Sequence, residues 1–372
     1  MRSSKVTKIT LAFTVLLNAL SWLLPSKATD FYADHIFPVV TLPLAALTSL
    51  VPFSYGEFLI LFGLSWLAVL AVFLLAAAAA KITRRQMPRH FRGFLRATGE
   101  LLTGIFLVMT LNCFVLYHCT PLEKSLPGYG KEVTVEDLTA FRNALVSQCN
   151  TMAAELPRDE SGNIRMDFDI HEEARRAEKN LGFFSKRLSG FQVRPKGLLF
   201  SGFISQQHMM GYYFPFSMEA NYNTVMEKLN RPSTICHELA HTHGYILEDD
   251  ANLIGFLACV NSGNPVMEYS GYLGILNYVN NDFYRTVGKK AYWEYPVISD
   301  DVWHDAVFLT DESWEAVEER SPLDTQTVKK AADTYVDTTL KVNGVKAGKA
   351  SYSHVIALLL AYYDGRVPGE EN

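Results

Sequence analysis

Apolar residues are spread unevenly along the chain: they crowd the first 120 positions in long runs, and beyond that they recur at ordinary amphipathic spacings. Three runs stand out, Ile9 to Leu24, Phe58 to Ala80 and Leu101 to Tyr117. A helix needs about 20 apolar residues to cross the hydrocarbon of a bilayer. The second run has that length, and the third comes close with Asn112 as its strongly polar residue. The first is short. With Arg2, Lys5 and Lys8 ahead of it and Ser26-Lys27-Ala28 behind, it reads as an anchor or as a cleaved signal peptide. One such run is compatible with a buried core helix. Three in succession, with charge confined to the connectors, predict a membrane region over residues 1–120 with two or three transmembrane helices. The stretch from Asp30 to Gly56 is apolar but broken by Pro38, Pro43 and Pro52, and reads as an outer loop near the membrane surface, with a re-entrant segment as the alternative.

Residues 121–132, with Pro127, Gly128 and Gly130, read as a linker, which leaves 133–372 as a separate domain. A helix is expected from Thr134, whose hydroxyl can cap the NH of Asp137, through Leu138, Phe141, Leu145 and Met152. Another is expected from Ile170 to Leu188, closing at Gly190. Between Gly190 and Tyr222 the glycines and prolines increase, and Leu198 to Ile204 and Gly211 to Phe216 read as short strands. A helix then opens after Pro232, capped by Ser233 or Thr234, and runs to Gly244. Helices follow at Asp249 to Asn261, Val266 to Val287, Asp300 to Phe308, Ser313 to Glu319, Thr325 to Val342 and Tyr352 to Tyr363. The expected fold class is α+β, mostly α-helical: transmembrane helices, then a domain with a small sheet ahead of one key helix.

Charge adds orientation. Lys81, Arg84, Arg85, Arg89, Arg92 and Arg96 separate the second and third apolar runs with no acid among them. Positive charge stays cytoplasmic, so everything after Tyr117 is expected to be extracytoplasmic. The formal net charge of -5 points to no nucleic-acid partner. Cys113, Cys119, Cys149, Cys236 and Cys259 are odd in number and irregular in spacing, so they read as buried thiols and not as a disulfide framework or a cysteine metal site.

The chemistry is carried by His237-Glu238-Leu239-Ala240-His241. On a helix, two histidines four apart share a face one turn apart, which suits two nitrogens on one tetrahedral zinc. Glu238, next to the first ligand, can reach a water on the same ion as general base. Chance produces this pattern in on the order of one in a hundred chains of such length, so its setting has to add weight. It does: Ile235, Leu239 and Ala240 make the segment apolar, and two histidines and a glutamate are costly to bury without compensation. For the third ligand, Gly244 can end the helix and a new helix near Glu248 can fold back over the metal. Glu248 is the choice, with Asn252 one turn on as a hydrogen-bond partner for a ligand imidazole. Asp249 and Asp250 suit a helix N-terminus through its dipole. His243 should point away.

These residues resemble the zincin metallopeptidases, and more closely the gluzincins, in which an HExxH helix is followed by a helix bearing Glu-x-x-Ala-Asp. Here that run is Glu248-Asp249-Asp250-Ala251-Asn252, with asparagine in the last place and a shorter interval from His241 than gluzincins usually have. The alternative pattern HExxHxxGxxH fits at Gly244 but meets Leu247 where its third ligand should stand. The layout also resembles an uncharacterised family of bacterial membrane proteins with an outer HExxH domain, through Gly211-Tyr212-Tyr213-Phe214-Pro215-Phe216 and Ser351-Tyr352 as well. The expectation is a zinc-dependent, membrane-embedded peptidase of exported or cell-envelope proteins. Tyr245, Tyr269 and Tyr272 are candidates for stabilising an oxyanion, and the strand after Gly211 for pairing with substrate. Two alternatives stand beside it: a zinc amidase acting on the cell wall, and a membrane sensor or assembly protein whose metal site is closed by a fourth ligand such as His208.

Overall fold

The computed structural model describes residues 5–82, 90–344 and 354–370; Arg2, Arg84, Arg85, Arg89, Ser351 and Tyr352 lie outside the described residues. The chain forms two compact units, Met1–Cys119 with Phe214–Glu219, and Thr120–Tyr213 with Ala220–Asn372. It is mostly helical, with one small sheet.

The first unit contains α1 (Lys5–Leu23), α2 (Ser26–Phe31), α3 (Phe37–Ser49), α4 (Tyr55–Ile82) and α5 (Phe91–Met109). Among the described residues, four helical stretches are long and apolar enough to cross a membrane: Lys5–Leu23, Ser26–Ser49, Tyr55–Ile82 and Phe91–His118. α4 is apolar all round and leaves Leu64, Leu67, Val72 and Leu75 exposed, as a helix solvated by lipid does. The Asp30 to Gly56 stretch is a correction: it is helical up to Ser49 and again from Tyr55, and only the bend at 50–54 around Pro52 is a loop. A wide π turn at Tyr32–Ile36 leads directly into α3, whose second residue is Pro38. That extra residue loosens the backbone ladder where a proline ring would otherwise collide with the carbonyl four residues back. The segment Phe214–Glu219 is fixed within this unit by its own hydrogen bonds. The Glu219 carboxylate accepts from the NH groups of Tyr55 and Gly56, at 2.9 and 2.6 Å. It thereby caps the N-terminus of α4, where a negative charge is favoured. Asn112 donates to the Pro215 carbonyl at 2.6 Å.

The second unit opens with α6 (Val135–Glu155). Thr134 accepts from the Asp137 NH and Asp137 reaches back to the Thr134 NH, a reciprocal cap. α7 (Ile170–Asn180) stops short of Leu188, and two 3₁₀ turns follow it. The sheet has β1 (Lys196–Gly197), β2 (Gly211–Phe214) and β3 (Glu219–Tyr222) in the order β1-β3-β2, with β1 parallel to β3. The run expected as a strand at Leu198 to Ile204 holds instead α8 (Ser201–Gln206). Ser201 donates to the Leu198 carbonyl and accepts from the Thr224 NH, so local side-chain bonds hold the turn against β propensity. Then come α9 (Arg231–Thr242), α10 (Glu248–Val260), α11 (Pro265–Tyr292), α12 (Asp300–Asp305), α13 (Asp311–Arg320), α14 (Thr325–Val342) and α15 (His354–Tyr363). α11 passes through non-helical backbone at Gly288.

The core of this unit is α10, packed against α9, α11, α7 and α15. Its Ala251, Leu253, Ile254, Leu257 and Cys259 are all buried, at roughly 1.5–3 kcal/mol for each large side chain. Cys236 and Cys259 are free buried thiols with sulfurs 3.9 Å apart.

Beside them lies Glu178, fully buried on α7 with neither carboxylate oxygen hydrogen-bonded. Burial raises its pKa well above the ordinary carboxylate value. In the unfolded chain Glu178 ionises above about pH 4.3, whereas in the fold it keeps its proton to higher pH. Across that interval stability falls with rising pH, by about 1.4 kcal/mol per pH unit. Glu178→Gln is therefore expected to raise Tm at pH 7 to 8 and to gain nothing at pH 4, as checked by thermal melts of both proteins across that range.

Candidate metal centre

α9 begins at Arg231, with Pro232 in its first turn, where a missing NH costs nothing. Ser233 and Thr234 are not its caps: their hydroxyls donate back to the Asn230 carbonyl at 3.3 and 2.8 Å. The helix ends at Thr242, and Gly244 follows at φ 88°, a left-handed conformation that favours glycine. This reversal lays α10 against α9. The approach is tightest at Gly255, where an added Cβ would stand 2.9 Å from the His237 nitrogen.

The result is a convergence of three side chains. His237 Nε2 and His241 Nε2 are 3.1 Å apart, His237 Nε2 and Glu248 Oε2 3.3 Å, and His241 Nε2 and Glu248 Oε1 3.9 Å. Ligands at 2.0–2.1 Å on a tetrahedral ion stand about 3.3 Å from one another, so the donor set fits zinc in kind and in spacing. Among the described residues no further His, Cys, Asp or Glu joins this group.

The surroundings prepare the donors. His241 Nδ1 lies 2.7 Å from the Tyr245 carbonyl. A carbonyl only accepts, so Nδ1 carries the proton and Nε2 presents its lone pair. Burial holds the His241 pKa down to about 4, which keeps the ring neutral. For His237, burial works downward but is outweighed by hydrogen bonds to Glu248 and Asn252 and by the Glu238 and Glu248 charges, so its pKa is raised. Glu248 shows the complement: burial works upward, but His237 and His241 bring its pKa down to about 2. With Glu248 ionised and His237 drawn toward its charged form, one positive charge is favoured among these three donors, a place that a cation could take in exchange for the His237 proton.

Glu238 projects beside this cluster, and its Oε2 is buried without a hydrogen-bond partner. Burial first, and then the Glu248 charge, push its pKa up to about 8 against the pull of His237. β2 passes so near that a Cβ on Gly211 would stand 2.5 Å from Glu238 Oε1; only glycine lets the strand run there. Between β2, α9, α10 and α11 lies a cleft of about 250 Å³ that contains His237, Glu238 and Glu248.

The other expected residues fall elsewhere. Tyr245 donates to Ser185, Tyr269 to Asp305 and Tyr272 to Glu268. Asp250 accepts from the Leu122 NH at 3.2 Å, and with Asp249 it occupies the first turn of α10. The His243 ring turns to Gly190. His208 lines the cleft but stands outside the ligand group, its ring stacked on Phe308 and tilted against Trp314. The tyrosine that does line the cleft is Tyr278, its pKa pushed up to about 12 by burial and by the Glu248 and Asp249 charges. Its signal in the sequence was helical spacing: Gly271, Gly274, Ile275 and Tyr278 share one face of α11, and all four line the cleft.

Residues 32–360 match the model of a protein family of unknown function, DUF3810. No curated protein and no solved structure matches the chain.

Proposed function

The chain belongs to the DUF3810 family, and from the geometry of its metal centre we propose that it is a zinc-dependent peptidase acting on exported or cell-envelope proteins. The observation that carries this reading is the orphaned Glu238 oxygen placed beside three convergent donors in an open cleft. His237, His241 and Glu248 would hold the ion. Bound there, zinc supplies Lewis acidity, bringing the pKa of a water from near 16 to about 7 and polarising the scissile carbonyl.

The chain's own residues do the rest. Glu238 takes the proton of the attacking water and returns it to the leaving amine, acting as base and then as acid. Tyr278, which lines the cleft, is the side chain we assign to stabilising the developing oxyanion. β2 is an outer strand of its sheet and runs past Glu238, which suits it to pair with an extended peptide backbone. The arginine-rich connector ahead of α5 supports an outer location for this domain, since positive charge favours the cytoplasmic side. A structural metal site would be closed by a fourth side chain; the stacking of His208 on Phe308 favours the enzyme instead.

The full chain purified in detergent is expected to hold about one zinc and to cleave an unbiased peptide library. Chelation should abolish cleavage and zinc should restore it. Zinc with cleavage of cell-wall amides only would favour the amidase. Zinc with no turnover of either would favour the structural site, and absence of zinc would remove the peptidase reading.

A further inference from the structure

The helix α8 is turned inside out, and we propose that its outer face rests in the surface of a lipid bilayer. Its polar side chains point inward: Ser201, Ser205 and Gln206 are buried. Ser201 donates to the Leu198 carbonyl, Ser205 accepts from the Asn223 amide at 2.8 Å, and Gln206 donates to the Leu323 carbonyl at 2.8 Å. The apolar side chains point outward. Leu199, just ahead of the helix, is 64% exposed, Phe200 49% and Phe203 51%. A short helix in water does the reverse, burying hydrocarbon and exposing hydroxyls and amides. The inward hydrogen bonds hold this orientation, so α8 cannot roll its aromatic rings under without breaking them. Single exposed apolar residues are ordinary. Three between positions 199 and 203, on a turn whose polar side chains are bonded inside, make a surface suited to an apolar medium.

Lipid fits this surface better than a protein partner, because the segment is all but uncharged. From Gly197 to Met218 there is no Asp, Glu, Lys or Arg, the longest such run beyond residue 130. Lys196 and Glu219, which bound it, are themselves buried. The exposed residues of the run are Leu199, Phe200, Phe203, His208 and Met210. A protein interface surrounds its apolar centre with a polar rim, and toward such a rim this run offers only His208. An interfacial lipid contact needs apolar and aromatic side chains reaching about 5–10 Å into the boundary between headgroups and acyl chains. A bilayer is also at hand. The first unit carries helices apolar enough to cross one, and the same uncharged run continues through Phe214 to Met218, which belong to that unit. Met209 and Met210, between α8 and β2, line the cleft of the metal centre. Given the peptidase activity proposed above, on which this step rests, the cleft takes its substrate at the lipid surface and favours lipid-tethered peptides over free ones of the same sequence.

The test uses the full chain in phosphatidylcholine vesicles. Phe203→Cys carries a polarity-sensitive fluorophore, with Leu199→Cys as a second site should the first disturb the fold. Ser161→Cys, at an exposed turn residue, is the aqueous control. The unsubstituted chain, whose cysteines are buried except the half-buried Cys119, supplies the background. Lipids bearing a nitroxide on the acyl chain should quench the label at position 203 at least twofold and leave the one at 161 unchanged. A label at 203 as aqueous and as unquenched as that at 161 would overturn the proposal. So would shielding of the label that grows with the ratio of protein to lipid, which marks a second copy as the cover. Leu199→Ser combined with Phe203→Ser, both at exposed positions, should lower kcat/KM at least tenfold for a peptide carrying an acyl chain and leave the free peptide unaffected. Equal loss on both peptides would overturn the lipid-surface route for substrate. Quenching at 203 in a chain that hydrolyses neither peptide would uphold the lipid contact and remove the peptidase.

Discussion

Glu238→Gln is expected to keep its zinc and to lose hydrolysis by about 10²–10⁴-fold, the range assigned to a positioned general base. The substitution is close to isosteric, which matters here because Gly211 leaves almost no free space against Oε1. The amide keeps the shape of the site but can neither take the proton of a water nor deliver one to an amine. Oε2 has no hydrogen-bond partner to lose, so the fold should not suffer; the buried carboxyl, whose pKa is already about 8, gives way to a neutral group. Zinc content measured together with kcat and KM separates the roles. A fall in kcat with zinc and KM unchanged marks a group acting in the transition state. Turnover at the wild-type rate would remove Glu238 as base. Loss of zinc together with turnover would make it a ligand or a support.

What the sequence disclosed about the site followed from how local each feature is. His237, Glu238 and His241 are set within one and a half turns of one helix, so spacing alone fixes their shared face. Glu248 could be read because Gly244 limits where the chain can turn between α9 and α10. Tyr278 could not be chosen from the chain's tyrosines, because its place depends on which face α11 turns to α10, a matter of packing between helices. The tyrosines nearer in sequence do not line the cleft; Tyr269, for one, bonds to Asp305 instead. The fold behaved likewise. Long apolar runs and capped helices were legible, whereas the proline-bearing segment after Asp30 was misread because a π turn absorbs what proline would break. At Leu198 to Ile204 the apolar run concealed the Ser201 hydroxyl that fixes a helical turn.

Glu248→Ala is expected to weaken zinc binding about a thousandfold: if roughly 12 kcal/mol of binding is shared among three protein ligands, losing one removes about 4 kcal/mol. Asp249→Asn is the control that gives this result its meaning. Asp249 lies next in sequence on the same first turn of α10, yet stands outside the donor cluster, so it should keep its zinc. Asn252→Ala, which removes the amide that helps raise the His237 pKa, should cost 10–100-fold, the usual effect of a partner behind a ligand. A competitive chelator titration ranks the three. The order Glu248, Asn252, Asp249 would establish that a glutamate only seven residues past His241 can close the site because two helices meet at a glycine. Equal loss from Glu248→Ala and Asp249→Asn would mean instead that the acids act through their summed charge, and the third ligand would have to be sought elsewhere. The short interval is thus linked to Gly255: without side-chain bulk there, α10 comes near enough to α9 for the Glu248 carboxylate to reach both imidazoles.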